Sequence, residues 1–330
     1  MLAQGSGLQL IGPAGSEMTT RIEQALVRAL ASVMRNDGPP GLSCAMRYAV
    51  FPGGGRIRPR LSLAVNAACG GDMGELAAGA AAAIELLHCA SLVHDDLPCF
   101  DNAEVRRGRP SVHRAFGESL ALLAGDALIV LAFQTLAQSA VAAPIRLGSM
   151  IMAMARAAGM PFGLAAGQAW ELERQADLQH YQRAKTGSLF AAATMAGALA
   201  AGATAEPWRS LGEQLGEAYQ VADDIKDMVC TEEELGKPAG QDVAHRRPSA
   251  ALYLGLEGAA VRLRRLVGQA IATIPACPGQ AELRSLIRSE VLRTLPKGIS
   301  PYVANPVSEP DSSSSSDLRD RRAATSARNR

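Results

Sequence analysis

The stretch AIELLHCASLVHDDLPCFD (residues 83–101) joins an apolar helical segment to a cluster of aspartates. Its apolar residues belong to a pattern with the 3.6-residue period of an α-helix, which covers about residues 73–97. Pro98 is expected to interrupt this helix just after the HDD tripeptide, because proline lacks the amide proton that a helix needs. The resulting bulge returns Asp101 to the side of Asp95, so the sequence predicts that two carboxylates meet at this helix end.

A second cluster, QVADDIKD (220–227), ends another apolar helical segment. Asp223 and Asp227 are four residues apart, so they lie about 40° from each other on one helix face. Hard oxygen ligands without histidine or cysteine suit Mg²⁺, which retains water and bridges substrate phosphates. A lone cluster of this kind more often caps a helix or faces solvent. Two clusters facing each other across a helical bundle would instead form a clamp for several metal ions.

The rest of the chain has the same helical character. Further periodic segments cover about residues 118–140, 144–159, 178–204, 207–229 and 257–273. No run alternates with period two, so no sheet is predicted. Thr20 and Glu23 form a capping-box pattern, which predicts that the first helix begins at Thr20. We therefore expect an all-α fold with one helical domain (19–296), a flexible N-terminus (1–18) and a disordered Ser/Arg-rich tail (297–330).

The composition excludes several classes of protein. The 330 residues are 48% apolar and 20% charged, which is enough to bury a sizeable core and excludes wholesale disorder. A net charge of +1 and an aromatic content of 4% argue against a nucleic-acid partner, which needs clustered basic residues or stacking rings. None of the six cysteines forms a CxxC pair, so we expect reduced thiols and a cytoplasmic location.

One stretch, Ser188 to Ala205, runs eighteen residues without a charge. It consists mostly of alanine and glycine, which partition weakly into hydrocarbon, so a buried helix packed closely against its neighbours explains it better than a membrane span. The N-terminal segment has no charge before Glu17 and lacks the basic region of a signal peptide. We therefore predict no membrane span.

Basic residues surround both aspartate clusters. Some follow the first cluster directly, and others follow three glycines whose backbone a phosphate can approach closely. Each alone is more often an ordinary surface charge. Combined with acidic metal sites, they predict two polyanionic groups bound at once, one on Mg²⁺ and one on guanidinium and ammonium groups. These basic residues are Arg56, Arg58, Arg106, Arg107, Arg109, Lys185 and Lys237.

The motifs, in order, are GGGRIRP, HCASLVHDDLPCFDNAEVRRGRPSVH, AGQ (166–168), KTGSLF (185–190), YQVADDIKD and GKPAGQD. This set resembles the trans-isoprenyl diphosphate synthases, the polyprenyl synthase family, over about residues 20–290. It is most similar to the bacterial geranylgeranyl diphosphate synthases that serve carotenoid and bacteriochlorophyll synthesis. The resemblance implies a helical bundle of the isoprenoid synthase type with a central substrate cavity. It also implies a Mg²⁺-dependent prenyltransferase acting on small-molecule prenyl diphosphates, and a homodimer.

The resemblance further implies a role for each matching residue. Mg²⁺, as three ions with bound diphosphate, is assigned to Asp95, Asp101 and Asp223, with Asp96, Asp224 and Asp227 in support. The allylic diphosphate is assigned to Arg106, Lys185 and Lys237, and isopentenyl diphosphate to Arg58, His88 and Arg107. The catalytic residues beside the allylic carbocation are Lys185, Thr186 and Gln220. The isopentenyl double bond attacks that cation and a proton is lost, so no protein nucleophile is required.

Three positions depart from the family pattern. Gly55 occupies a place where the family usually has lysine, and Arg246 or Arg247 fills a second such place. The change at Gly55 removes one charge-assisted contact, worth about 1.5–3 kcal/mol, for which Arg56 is a candidate replacement. Without it, the chain would be a weakly active or regulatory subunit. Glu171 lies where the family often has aspartate, which is a conservative change.

Product length is expected to depend on Ala90 and Ser91, which lie about one turn upstream of Asp95. Family members that stop at fifteen carbons tend to have an aromatic residue at the position of Ala90. Its small side chain therefore favours the twenty-carbon product, geranylgeranyl diphosphate, unless Ala90 is only a helix-packing residue. A farnesyl or longer-chain synthase is the alternative within the fold, and the second aspartate cluster argues against a class I terpene cyclase.

Overall fold

The computed structural model describes residues 13–34, 38–51, 53–173, 181, 183–230 and 250–294. These residues form twelve α-helices and one short β-hairpin, which confirms the all-α prediction. The predicted tail (297–330) and Lys237, Arg246 and Arg247 lie outside the described residues.

The elements follow one another in the order of a helical bundle. The first eight helices are α1 (Pro13–Val33), α2 (Pro40–Val50), α3 (Ile57–Ala68), α4 (Glu75–Asp95), α5 (Val112–Phe116), α6 (Glu118–Ser139), α7 (Pro144–Ala158) and α8 (Leu164–Trp170). A π-helix (Arg183–Gly187) leads directly into α9 (Ser188–Ala200), and a 3₁₀ turn (Glu206–Trp208) leads into α10 (Arg209–Val229). The last two helices are α11 (Ala250–Ala272) and α12 (Gln280–Thr294).

The first helix begins earlier than the capping-box pattern predicted. α1 starts at Pro13, where proline suits the first helical turn because its missing amide proton needs no partner there. Thr20 lies inside the helix, and its hydroxyl donates to the carbonyl of Ser16 at 3.0 Å. The prediction of a helix start at Thr20 is therefore wrong, and the flexible segment predicted for 1–18 overlaps α1. Met18 already packs into the core, where it is buried.

A β-hairpin connects α4 to α5, although no sheet was predicted. Strands β1 (Val105–Arg106) and β2 (Arg109–Pro110) are antiparallel, and Arg106 lies opposite Arg109. Two residues per strand are too few to produce an alternating pattern, so this hairpin could not be predicted from periodicity. Arg107 and Gly108, with φ of 53° and 73°, form the two-residue turn, and such turns favour antiparallel hairpins.

α4 is the central helix of the bundle. It packs against α1, α3, α6 and α9, and apolar residues around its whole circumference are buried. α9 is likewise buried, which confirms that the uncharged stretch from Ser188 forms a closely packed core helix. Gly197 on α9 has no room for a side chain, since a Cβ there would lie 2.2 Å from the carbonyl oxygen of Ser62 on α3.

Two helices meet the length and apolarity of a membrane-crossing segment. In α4, 78% of the most apolar window is buried, whereas in α6 the figure is 44%. A buried core helix meets the same test, and α4 is buried in this way. α6 keeps an exposed apolar face.

Candidate active site

Both aspartate clusters line one cavity of about 610 Å³ near the centre of the bundle. The four aspartates that line it, here called the acidic wall, are Asp95, Asp101, Asp223 and Asp227. Three basic residues that line it, here called the basic wall, are Arg58, His88 and Arg107. Arg106, Lys185, Thr186 and Gln220 also face this cavity. The structure thus brings together most of the predicted polar site residues that it describes, whereas Asp96, Asp224 and Arg109 do not line the cavity.

The bulge expected at Pro98 is present. α4 ends at Asp95, and the amide of Asp101 donates to the carbonyl of Asp95 at 2.9 Å, which folds the chain back. Asp96 takes a different direction, because Nε of Arg106 lies 3.0 Å and 3.2 Å from its two carboxylate oxygens. Asp96 therefore holds Arg106 in place, and Asp95 and Asp101 remain at the cavity.

Asp95 is held by groups from two other elements. Nε2 of Gln168, on α8, lies 3.1 Å from its Oδ1, and Nζ of Lys185 lies 3.8 Å from the same oxygen. Burial raises the pKa of Asp95, and the nearby ammonium of Lys185 opposes that rise. The carboxylate is thus buried at a cost that a bound cation would relieve.

Glu171 and Tyr181 belong to the site, although no role was predicted for either of them. Lys185 Nζ lies 2.6 Å from Oε1 of Glu171, and the Tyr181 hydroxyl donates to that oxygen at 2.6 Å. Lys185 is therefore already paired, and Glu171 sets its position. The AGQ motif was the available signal, since it places Gln168 and Glu171 on neighbouring turns, but only the fold shows that they meet Asp95 and Lys185.

The second cluster lies on α10, and its three aspartates have different surroundings. Asp224 is buried and accepts hydrogen bonds from Nε2 of Gln220 at 3.0 Å and from the amide of Ala250 at 2.7 Å, so it joins α10 to α11. Asp223 and Asp227 face the cavity. Oδ1 of Asp227 is buried and makes no hydrogen bond to any described residue. An unpartnered buried carboxylate oxygen of this kind is suited to a cation.

The acidic wall fits Mg²⁺ that is shared with a phosphate ligand. Within the described part of the chain, no three carboxylate, imidazole or thiol groups lie close enough to hold an ion alone. Mg²⁺ typically keeps waters and takes one or two carboxylates plus substrate phosphates, so incomplete protein ligation matches its chemistry. No cysteine among the described residues lines the cavity, and the acidic wall offers only oxygen donors, so Zn²⁺ is disfavoured.

Thr186 and Gln220 form a hydrogen-bonded polar pair in the lining of the cavity. The Thr186 hydroxyl donates to Oε1 of Gln220 at 3.0 Å. Thr186 and Lys185 both belong to the π-helix, a wider helical turn that is frequent at functional sites because it displaces side chains from the regular helical register. Thr186 and Gln220 both line the cavity, and their predicted role beside an allylic cation stays a prediction.

Arg58 is the most deeply enclosed member of the basic wall. Its guanidinium lies 4.8 Å from the ring centroid of Phe190 and 5.7 Å from that of Tyr219, which are favourable cation–π distances. Nε of Arg58 is buried and has no hydrogen-bond partner among the described residues. Burial lowers the pKa of Arg58, since a desolvated cation is destabilised. An anion in the cavity would compensate for this.

His88 completes the basic wall on the α4 side. Burial and the charges of Arg58 and Arg107 lower the pKa of His88 well below its ordinary value, so the imidazole is neutral at pH 7. Arg106 and Arg56 act in the same direction. A neutral His88 can still donate one hydrogen bond to a phosphate oxygen, as its assigned role requires.

Arg56 does not replace the missing lysine at Gly55, which corrects the expectation from sequence. Arg56 lines the cavity, but its guanidinium is buried and already occupied: it pairs with Glu85 at 2.7 Å and Glu23 at 2.8 Å and donates to the carbonyl of Val50. Its side chain is only 2% exposed. Arg56 is therefore committed to the fold, and Arg107 lies next to the glycine-rich turn instead, 3.1 Å from where a Cβ of Gly54 would be.

The two residues proposed to set product length differ in position. Ser91 lines the cavity, and its hydroxyl donates to the carbonyl of His88 at 2.9 Å. Ala90 is not among the described residues that line the cavity, and only 1% of it is exposed within the core. A larger side chain at position 90 would therefore shorten the product only by displacing its neighbours into the cavity.

Comparisons with known proteins agree with this geometry. The sequence profile of the family described as polyprenyl synthetase matches residues 39–282. The chain is 53% identical to a geranylgeranyl diphosphate synthase of Cereibacter sphaeroides, over 86% of this chain and 98% of that protein. It is 50% identical to a geranylgeranyl diphosphate synthase of Rhodobacter capsulatus, over 81% of this chain and 93% of that protein.

Solved structures are similar as well. A geranyltransferase from Helicobacter pylori, crystallised with magnesium and isoprenyl diphosphate, superposes with a TM-score of 0.73 and is 29% identical. The match covers 87% of this chain and all of that one. The fold and the sequence therefore lead to the same group of proteins.

Proposed function

Because the chain belongs to the polyprenyl synthetase family, we propose that it is a Mg²⁺-dependent prenyltransferase that makes geranylgeranyl diphosphate. It condenses isopentenyl diphosphate with the allylic substrates dimethylallyl, geranyl and farnesyl diphosphate. The observation that carries the proposal is the meeting of an acidic and a basic wall in one cavity, in a chain 53% identical to a geranylgeranyl diphosphate synthase.

The acidic wall receives the allylic diphosphate. Mg²⁺, proposed as three ions, supplies positive charge that stabilises the diphosphate as it leaves. Its ligands are the carboxylates of the acidic wall. Lys185 and Arg106, together with Lys237, bind the remaining diphosphate oxygens. The C–O bond breaks with its electron pair remaining on diphosphate, and the oxygens of Thr186 and Gln220 stabilise the allylic cation.

The basic wall receives isopentenyl diphosphate. Arg58 and Arg107 neutralise its charge, and neutral His88 donates a hydrogen bond. This placement orients the isopentenyl double bond towards the allylic cation, so that its electrons form the new carbon–carbon bond. The cation then loses one proton, for which the released diphosphate is the available acceptor, and the C–H electron pair restores a double bond. The chain's contribution is thus orientation and electrostatic stabilisation, without a covalent intermediate on the protein.

The direct test uses the purified chain with Mg²⁺, farnesyl diphosphate and labelled isopentenyl diphosphate. After phosphatase treatment, chromatography is expected to show a labelled twenty-carbon alcohol, and chelation of Mg²⁺ should abolish it. A fifteen-carbon product from geranyl diphosphate, with no further elongation, would reject the proposed product. No turnover with any allylic substrate would instead support the regulatory subunit suggested by Gly55.

A farnesyl diphosphate synthase is the second candidate. A farnesyl diphosphate synthase of Geobacillus stearothermophilus is 40% identical over 75% of this chain and 86% of that protein. The same product assay separates the two candidates by chain length.

We also propose that the protein is a homodimer that associates through α6. This helix exposes Leu122, Leu123 and Val130, with 49%, 50% and 66% of each residue accessible. Ile145 at the start of α7 is 92% exposed. Apolar residues exposed together along one side typically mark an interaction surface. Val130→Glu should yield a monomer in analytical ultracentrifugation, whereas Val27→Glu, an exposed valine on α1, should not. A monomeric wild-type chain would contradict this proposal.

A cytoplasmic location is proposed from the free cysteines and the burial of α4. Fractionation of cells that produce the tagged chain tests it, since recovery in the membrane fraction would contradict it.

A further inference from the structure

Two side chains that take no part in the proposed reaction connect the β-hairpin to α2. Nη1 of Arg109, on β2, donates to the carbonyl of Phe51 at 2.9 Å, just beyond the end of α2. The Arg109 guanidinium also lies 3.7 Å from the ring centroid of Tyr48, on α2. The Tyr48 hydroxyl in turn donates to the carbonyl of Pro110 at 2.8 Å. We call this set of three contacts the Arg109–Tyr48 clamp.

The hairpin needs such an external attachment. Its strands contain two residues each, and an isolated hairpin of that length is not stable on its own. Its turn also places Arg107 at a φ of 53°, a left-handed conformation that is unfavourable for a residue with a side chain. Such a conformation persists only where the surroundings enforce it. The clamp acts on the strand that immediately follows this turn.

The two arginines that the hairpin presents to the cavity are secured differently. Arg106 has its own anchor, the buried carboxylate of Asp96. Arg107 has no comparable ion pair among the described residues; its guanidinium lies beside Gly54, with only the weakly polar Cys89 thiol as a hydrogen-bond partner. Because Arg107 lies in the turn itself, its placement depends on how firmly the hairpin is attached to α2.

We propose that Arg109 and Tyr48 are positioning residues for isopentenyl diphosphate, which act by fixing the turn that carries Arg107. Neither residue lines the 610 Å³ cavity, so neither is a ligand of the substrate in this arrangement. The inference rests on the proposed function, in which Arg107 binds isopentenyl diphosphate and Arg106 binds the allylic diphosphate.

The test compares Arg109→Met with Arg114→Gln in the full chain. Methionine keeps the length and the contact with the Tyr48 ring but removes the charge and the donor. Arg114 is an exposed arginine of the neighbouring helix α5 and pairs only with exposed Glu104 among the contacts found. Arg109→Met should raise the KM for isopentenyl diphosphate about 10- to 100-fold, as expected for a displaced binding group. The KM for farnesyl diphosphate should remain close to that of the wild type.

Two further variants grade the effect. Tyr48→Phe removes only the hydrogen bond to Pro110 and should raise the KM for isopentenyl diphosphate about 2- to 10-fold. Arg109→Lys keeps a cation and a donor and should recover part of the loss. If circular dichroism shows that Arg109→Met unfolds the chain, the KM of Tyr48→Phe for isopentenyl diphosphate decides whether the inference holds.

Calorimetric titration of isopentenyl diphosphate into each variant separates this inference from the proposed function. Weaker binding in Arg109→Met but not in Arg114→Gln supports the inference even if turnover is absent in the wild type, which would count against the proposed function alone. Unchanged binding of isopentenyl diphosphate in both Arg109→Met and Tyr48→Phe would overturn the inference. An equal rise in both KM values would overturn it too, because that result indicates general loosening of the site.

Discussion

The buried charges of the acidic wall and of the basic wall are stabilised by different kinds of neighbouring groups. Asp95 has an ammonium, Lys185, and an amide donor, Gln168, beside it, so part of its charge is already balanced. Arg58 has aromatic rings against its guanidinium and a buried Nε with no partner among the described residues. Burial, and then the charges of the surrounding arginines, lower the pKa of His88.

This difference indicates what each wall lacks. The acidic wall is a partly balanced set of carboxylates that needs divalent cations to bind another anion. The basic wall has too few internal counter-charges and needs an anion directly. The cavity therefore suits two diphosphates bound in unlike ways, one through Mg²⁺ and one through direct contact with arginine.

The largest effect is expected from removing one carboxylate of the acidic wall. Asp223→Asn should lower kcat about 10³-fold, because it removes charge stabilisation of the departing diphosphate. Steady-state assays at saturating substrate measure this. The surface variant Glu206→Gln serves as a control and should retain wild-type activity. Near-normal kcat in Asp223→Asn would remove the metal role from this wall.

A change in the basic wall should affect substrate binding more than turnover. Arg58→Met keeps the contact with Phe190 and Tyr219 but removes a charge-assisted contact worth about 1.5–3 kcal/mol. The KM for isopentenyl diphosphate should therefore rise about 10- to 150-fold, with a smaller change for farnesyl diphosphate. Kinetics with each substrate varied in turn provide the measurement. A selective rise in the KM for farnesyl diphosphate would reverse the assignment of the two walls.

The basic wall should also make stability depend on pH. The pKa of His88 is lower in the folded chain than in the unfolded chain. Below pH 6.5, His88 is therefore protonated in the unfolded chain but stays neutral in the folded one. Stability that His88 provides near neutral pH is thus lost as the pH falls, by up to about 1.4 kcal/mol per pH unit. Urea titrations at pH 7.5 and 5.5 should show a smaller decrease for His88→Gln than for wild type.

The decrease in His88→Gln should not vanish, because burial also lowers the pKa of His113. Equal pH dependence in the variant and the wild type would mean that His88 is not desolvated as described.

The smallest effect on rate is expected from a substitution at Ala90, which is buried in α4. Ala90→Tyr should shorten the product from twenty to fifteen carbons, because a ring at this buried position must displace its neighbours toward the cavity. Ala198→Tyr, on α9, supplies a control for general overpacking of the core, where alanine is equally buried. Product chromatography distinguishes the two variants. An unchanged product distribution in Ala90→Tyr would leave Ala90 as a packing residue only.

Sequence reasoning succeeded where local geometry determines the outcome. The four-residue spacing of Asp223 and Asp227 and the interruption at Pro98 both act within one or two helical turns, so the acidic wall was predictable. The helical period was strong enough to predict the fold class. The start of α1 was missed because the capping pattern at Thr20 is also compatible with the interior of a helix, where its hydroxyl bonds the preceding turn.

Sequence reasoning failed where a side chain's direction depends on distant partners. Arg56 and Arg58 are two residues apart, yet Arg56 enters the core because Glu85, 29 residues away, provides a buried counter-charge. Nothing in the local sequence distinguishes the two arginines. The hairpin of Arg106 and Arg109 was missed for a related reason, since its stability comes from α2 rather than from its own strands.

The most direct test of the account is crystallography of the protein with Mn²⁺ and an unreactive allylic thiodiphosphate. Anomalous scattering should locate metal ions between Asp95 and Asp223, each bridging a carboxylate of the acidic wall to the diphosphate. Isopentenyl diphosphate added to the same crystals should contact Arg58. Metal bound to only one of the two clusters, with the diphosphate elsewhere, would contradict the account.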